Sequence, residues 1–333
     1  MKMVIASLFV IFSVAQVTLA QVPRLNPAHV MGAQACSECH GKEVDAWRAT
    51  THFKTFKTLE DSDKANEIAD NLDIDDLAGN GLCIECHFTI QKKGAANVAI
   101  SGISCESCHG AAQDWIKEHN KENVPRAQRK ATAEKAGMLY PENIYAVASN
   151  CYDCHVVDRE ELVNEGGHPA FSADFDLYAW SQGEVRHSFM TDANPVKKAG
   201  EVNRAADANH KRILYMVGKL LNLEYELRAV AKATTAAKPA AADQAYGVQH
   251  AIRANTLIKQ LVALNKLAPT DEVTAIIAAA KSAKLKTKNA APLNAAAGKV
   301  SELAKKFVAA HDGSKLAGID SKIPAPHGTI FKP

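Results

Sequence analysis

The chain has 333 residues and a formal charge of +2, with 39 Lys and Arg set against 37 Asp and Glu, which excludes the broad basic surface that tracks nucleic-acid phosphates. Eight cysteines all fall within one recurring pentapeptide, so none is left for a disulfide, a zinc site or a thiol nucleophile.

Taken in chain order, the N-terminus reads as a secretory signal. Lys2 gives a short positive region, Val4 to Val17 is an almost unbroken apolar run, and Thr18-Leu19-Ala20 offers small residues before a cut at Gln21. The run is shorter than the roughly 20 apolar residues of a spanning helix, and polar Gln21 to Pro27 follows at once. A cleaved leader over 1–20, no retained membrane span and a periplasmic or extracellular location are therefore expected.

Residues 21–198 form the first expected unit, holding every cysteine and nine of the thirteen histidines. Helices are expected over Val44 to Leu59, Ala65 to Asn71, Trp115 to His119 and Arg126 to Ala136, with Gly- and Asn-rich loops between them and few strand signals. The second unit, 199–333, is rich in Ala and Lys and has apolar stripes at helical spacing. These are Ile213, Val217, Leu220 and Leu221, then Leu257, Ile258, Leu261 and Val262, then Leu293, Ala296, Val300, Leu303 and Phe307. Breaks at Ala236 to Pro239, at Pro269-Thr270-Asp271 and around Asn289 to Pro292 divide it into four antiparallel helices. The fold class is thus mainly α: a first domain with little strand, then an antiparallel helical bundle.

The pentapeptides carry the chemistry of the first domain and make it a multihaem one. Cys36/Cys39-His40, Cys83/Cys86-His87, Cys105/Cys108-His109 and Cys151/Cys154-His155 are four Cys-x-x-Cys-His motifs. Two cysteines separated by two residues reach both vinyl groups of one porphyrin edge as thioethers, and the adjacent histidine then binds iron from one face. Four covalently bound haem c groups are expected, with His40, His87, His109 and His155 as proximal ligands. Zinc sites gather their ligands in fours, a pattern that a histidine after every second cysteine does not fit.

A second imidazole on the iron gives a closed, low-spin centre, whereas an open position binds small molecules. Beyond the proximal set the first unit holds His29, His52, His119, His168 and His187, five candidates for four positions. Trp115 stands four residues before His119 and Trp47 five before His52, which suits rings that pack against a porphyrin. His210, His250, His311 and His327 lie far from any cysteine pair and are expected at surface or helix-end positions.

The order of these motifs resembles the cytochrome c-554 family. The resemblance runs from Val30 to Met190 through Trp47 to His52, Gly102-Ile103-Ser104-Cys105 to Gly110, and Gly166-Gly167-His168-Pro169. It implies a mainly helical fold, haems in stacked and perpendicular pairs, and crossed ligation of His40 with His119, His109 with His187, and His155 with His52. The haem of Cys83 and Cys86 is five-coordinate in the family, its distal face covered by a threonine before a proline. Here His168 precedes Pro169, so His87 and His168 are expected to close that iron. The expected activity is one-electron transfer between redox partner proteins. The alternatives are a haem enzyme reducing a nitrogen or sulfur oxyanion at one open iron, and association into an oligomer or an extracellular filament through His29.

Overall fold

The computed structural model describes residues 25–190, 202–234 and 242–333. The expected leader and the expected break at Ala236 to Pro239 lie outside the described residues. The fold is mainly α, and among the described residues there is one two-stranded sheet.

In the N-terminal part, α1 (Gly41–Arg48) and α2 (Thr51–Thr58) occupy the stretch expected as one helix. The division falls at Thr50, whose hydroxyl accepts from the Phe53 N–H as an N-cap and so starts a new helix in a new direction. α3 (Asp63–Asn71) starts on Ser62 in the same way. α4 (Gly81–His87) carries the second motif, and β1 (Thr89–Lys93) and β2 (Ala96–Ser101) form an antiparallel hairpin behind it. α5 (Cys105–His109) consists of the third motif alone. The expected helix at Trp115 to His119 is instead a run of turns, with only isolated helical hydrogen bonds such as His119 N–H to Trp115 C=O. α6 (Arg126–Lys135), α7 (Ile144–His155), α8 (Glu160–Asn164) and α9 (Leu177–Ser181) complete this part.

Four longer helices follow: α10 (Ala208–Lys232), α11 (Tyr246–Leu267), α12 (Asp271–Ser282) and α13 (Ala290–Ala310). Thr270 caps α12 by accepting from Val273 N–H. Their stripes meet one another, and Leu220, Leu221, Leu257, Leu261, Leu293, Val300 and Phe307 are buried.

The core does not stop at the bundle. Tyr145, Ala148 and Tyr152 of α7, Leu162 and Val163 of α8, and Leu177 and Tyr178 of α9 join α10 to α13 in one continuous apolar cluster. Gly218 of α10 is the point of closest approach. A β-carbon there would lie 2.9 Å from Leu177 Cβ and 3.3 Å from the Tyr152 hydroxyl, and that hydroxyl donates to the Gly218 carbonyl at 2.7 Å. The helix bearing the fourth motif is thereby bolted to the bundle.

Candidate haem centres

Each motif is presented by a short, locally determined element. In α4, α5 and α7 the motif closes the helix, and helical spacing puts the two cysteines and the histidine on one side of it. The first motif runs through turns, and His40 stands at the N-cap of α1.

Facing each motif histidine is a second imidazole. The ring centres are 6.3 Å apart for His40 and His119, 6.3 Å for His87 and His168, 6.2 Å for His109 and His187, and 6.1 Å for His52 and His155. A metal–imidazole nitrogen bond is about 2 Å and that nitrogen lies about 1.15 Å from its ring centre, so two rings on opposite sides of one ion have centres about 6.3 Å apart. All four separations fit that span. Interplanar angles run from 23° to 86°, as expected when rings turn freely about a shared nitrogen–metal axis.

In five of the eight rings Nδ1 is engaged, which leaves Nε2 as the acceptor. His109 Nδ1 donates to the Leu139 carbonyl (3.0 Å), His119 Nδ1 to that of Ile116 (2.7 Å), His168 Nδ1 to that of Pro169 (2.8 Å) and His187 Nδ1 to that of Val185 (2.7 Å). His155 Nδ1 meets the Ser172 hydroxyl at 2.8 Å. With the proton held on Nδ1, Nε2 carries the lone pair a metal needs. Burial holds the imidazoles of His87, His109 and His155 down to about 4, and depresses those of His40, His52, His119 and His168 for the same reason. Neutral imidazole is the form that ligates.

The thiols report which centres are neighbours. Cys36 shares a side-chain hydrogen bond with Cys105, and Cys86 shares one with Cys154. Burial pushes the Cys108 thiol up to about 11 and raises that of Cys151, which feels Cys108 electrostatically. Among the described residues no group of three or more His, Cys, Asp and Glu converges on one point, so the arrangement consists of opposed pairs.

Glu106, Gly32 and Phe175 escaped sequence reasoning, whereas Trp47 and Trp115 were singled out by it. Glu106, between the cysteines of the third motif, is buried and accepts from three backbone N–H groups: Met31 (2.9 Å), Gly32 (2.7 Å) and Ala112 (2.8 Å). Gly32 has φ +87, a conformation that favours glycine. Phe175 stacks on His155 at 4.0 Å and 7°. Trp47 donates its indole N–H to the Ile103 carbonyl at 2.7 Å and packs on Phe53, while Trp115 meets His119 edge-on at 5.4 Å. A charged residue between two motif cysteines was the one available signal for Glu106.

The fifth candidate, His29, pairs with Asp114 (Nδ1 to Oδ2, 2.5 Å) rather than with a motif histidine. His210 and His327 are exposed, and His311 pairs with Glu272 at 3.0 Å after the end of α13. His250 corrects its expectation. It is fully buried, with Nδ1 2.6 Å from Glu226 Oε2 and Nε2 3.1 Å from the Val157 carbonyl. Linear distance from the cysteines misled because α11 packs directly against the segment after the fourth motif.

A family model for cytochrome c554 and c-prime matches residues 35–110, which contain the first three motifs. This segment is similar to the cytochrome c-554 family. Cytochrome c-554 of Nitrosomonas europaea is 26% identical over 140 residues, covering 38% of this chain and 57% of that protein. The chain thus spans a little over half the length of the curated relative it matches. Comparison with solved structures finds no match. In c-type cytochromes paired cysteines serve as covalent anchors for haem c. Among the described residues no helix is long and apolar enough to cross a membrane.

Proposed function

We propose that the chain is an exported tetrahaem c-type cytochrome that passes electrons one at a time between redox partner proteins. Haem would be held by Cys36, Cys39, His40 and His119; by Cys83, Cys86, His87 and His168; by Cys105, Cys108, His109 and His187; and by Cys151, Cys154, His155 and His52. Bound haem supplies reversible one-electron cycling of iron, at low potential when two imidazoles favour the ferric state. The protein's residues favour the neutral form of the seven buried or half-buried imidazoles and fix the tautomers of His109, His119, His155, His168 and His187 through Nδ1. Hydrogen bonds between Cys36 and Cys105 and between Cys154 and Cys86, with Cys108 and Cys151 close enough to interact electrostatically, favour an electron path through motifs one, three, four and two in that order.

The observation that carries this reading is the repetition of one ring separation, 6.1 to 6.3 Å, at four independent histidine pairs. Filling both axial sides argues for a carrier over an oxyanion reductase, which needs an open iron. The leader at 1–20, a periplasmic or extracellular location and the division into 21–198 and 199–333 are parts of the same proposal. Intact mass with electron paramagnetic resonance of the oxidised protein tests it. Four added haems and only low-spin ferric signals are expected. A high-spin signal, or a spectral shift when carbon monoxide is added to reduced protein, overturns the closed-iron reading.

A further inference from the structure

Between α2 and the hairpin lies an open groove of about 370 Å³ lined by Phe56, Glu60, Asp76, Ala78, Phe88 and Val98, together with the short segments beside them. No motif cysteine and none of the eight paired imidazoles lines it, so it is separate from the spaces between ring pairs. Its floor is apolar. Phe56 and Phe88 meet edge to face at 6.1 Å, and large apolar side chains remain in solvent there, Phe56 at 36% and Val98 at 37% exposure. Scattered apolar exposure is ordinary, but apolar surface collected in a groove with a charged rim marks an interaction site.

The position ties this groove to the redox centres. Phe88 directly follows His87 and ends α4. Phe56 lies one helical turn after His52 in α2. Both are therefore the outer neighbours of paired histidines, belonging to the second and fourth motif centres.

The segment that supplies the groove's acidic wall is one-sided in charge. Residues 60–76 hold eight acids, namely Glu60, Asp61, Asp63, Glu67, Asp70, Asp73, Asp75 and Asp76, and one base, Lys64, which pairs with Glu67 at 3.0 Å. The cations of the two flanking elements are Lys54 and Lys57 on α2 and Lys92 and Lys93 on β1. Eight negative against five positive charges leave −3 on a molecule whose formal total is +2. Within the groove wall itself the charged side chains are acidic, Glu60 and Asp76.

We propose that this groove is the docking surface for a basic redox protein, an apolar contact centre with an acidic rim that steers the partner to the side chains flanking His87 and His52. Complementary charge raises encounter rates by about 10- to 1,000-fold at low salt, and the apolar centre then sets how long the complex lasts. The inference rests on the electron-carrier reading and adds the chemistry and place of one partner.

The test is isothermal titration calorimetry of the haem-loaded full chain with a strongly basic monohaem cytochrome c, both proteins oxidised, at low and at high ionic strength. Two variants accompany the wild type: Glu60→Gln/Asp61→Asn/Asp73→Asn/Asp75→Asn, which leaves the fold's own contacts in place, and Phe56→Ser. Absorption spectra identical to wild type certify that each variant has kept its haems. At low salt the four-charge variant is expected to bind at least about 10-fold more weakly, with the difference vanishing in high salt, whereas Phe56→Ser is expected to weaken binding at both salt levels. Equal affinities for wild type and both variants overturn the proposal. So does a low-salt dimer of the wild type that the four-charge variant abolishes while cytochrome affinity stays unchanged, because the occupant is then a second copy. Reversible cycling of the wild type with small redox mediators is measured on the same sample. Failure there removes the carrier reading alone, since oxidised-state binding needs no turnover.

Discussion

Removing the Glu106 carboxylate should unfasten the N-terminal lead-in from the third motif. In Glu106→Ala, three backbone N–H groups lose their acceptor together, those of Met31, Gly32 and Ala112, now satisfied at 2.7 to 2.9 Å. A hydrogen bond to a charged group contributes about 1.5–3 kcal/mol, and three would nominally total about 5–9. Such bonds are not additive, and water can follow the half-exposed lead-in as it relaxes, so the expected loss is about 3–5 kcal/mol. Glu106→Gln separates hydrogen bonding from shape. Its amide keeps one oxygen acceptor but turns an NH2 toward a backbone donor, for a loss of about 2–3 kcal/mol. Guanidinium unfolding of the haem-loaded protein, followed by far-ultraviolet circular dichroism, reads both values. A loss below about 1 kcal/mol in the alanine variant refutes the argument that this carboxylate is an obligatory backbone acceptor.

Other perturbations address the centres singly. His168→Ala should open the iron at His87, so that carbon monoxide shifts about a quarter of the reduced Soret band where wild type shows no shift. Ser172→Ala removes the partner 2.8 Å from His155 Nδ1; a less basic imidazole supports ferric iron less well, and one potential should rise by on the order of tens of millivolts in a spectroelectrochemical titration. Gly102→Ala would put a β-carbon 2.1 Å from the His52 carbonyl oxygen, so α2 must shift, and a high-spin ferric signal from the fourth-motif centre is expected. Burial raises the Glu226 carboxyl above its ordinary 4.5, against the hydrogen bond from His250 that lowers it. The native state therefore holds this proton to higher pH than the unfolded chain does, and stability falls as pH rises from 4.5 through the native value. Glu226→Gln should flatten that decline in thermal unfolding measured across pH, and an unchanged slope counts against it.

Much of the chemistry was legible because covalent haem attachment demands a contiguous five-residue motif that no fold can disguise. The partner imidazoles were less so. His52, His119, His168 and His187 stood out by supply and by resemblance, while their pairing depends on turns far apart in the chain. The Trp115 to His119 segment shows the limit of spacing. The two rings do meet, at 5.4 Å, but through consecutive turns, since a short segment anchored at both ends gains little from a full helix. At Ala49-Thr50 the helix signal ran straight through a residue able to cap. The hydroxyl of Thr50 was the cue, and only the packing direction of α2 decides that it is used. His250 was invisible in principle to an argument from linear separation. Both ring nitrogens face partners, Glu226 and the Val157 carbonyl, so the ring is tied at both ends inside the core.

The fusion of α7 with the bundle follows from the small apolar supply of the N-terminal part. Short helices that present ligands have few apolar side chains to spare, and the N-terminal part's separate buried cluster consists of only Ala112, Trp115 and Ala133 with a few half-buried neighbours. By contrast, Tyr145, Tyr152, Val157, Leu162, Leu177 and Tyr178 bury their faces in the same cluster as Leu220, Leu221 and Phe307. Each such large side chain contributes about 1.5–3 kcal/mol when fully withdrawn from water. The polar ties run the same way: Tyr145 hydroxyl to Glu224 and to Ser301 at 2.6 Å, Tyr225 hydroxyl to Asp153 at 2.8 Å, and Lys219 to Asp176 at 2.9 Å. Asp153 lies between Cys151 and Cys154, so the bundle grips the fourth motif inside its own pentapeptide. The helix that carries His155 opposite His52 is therefore braced by α10 and α13.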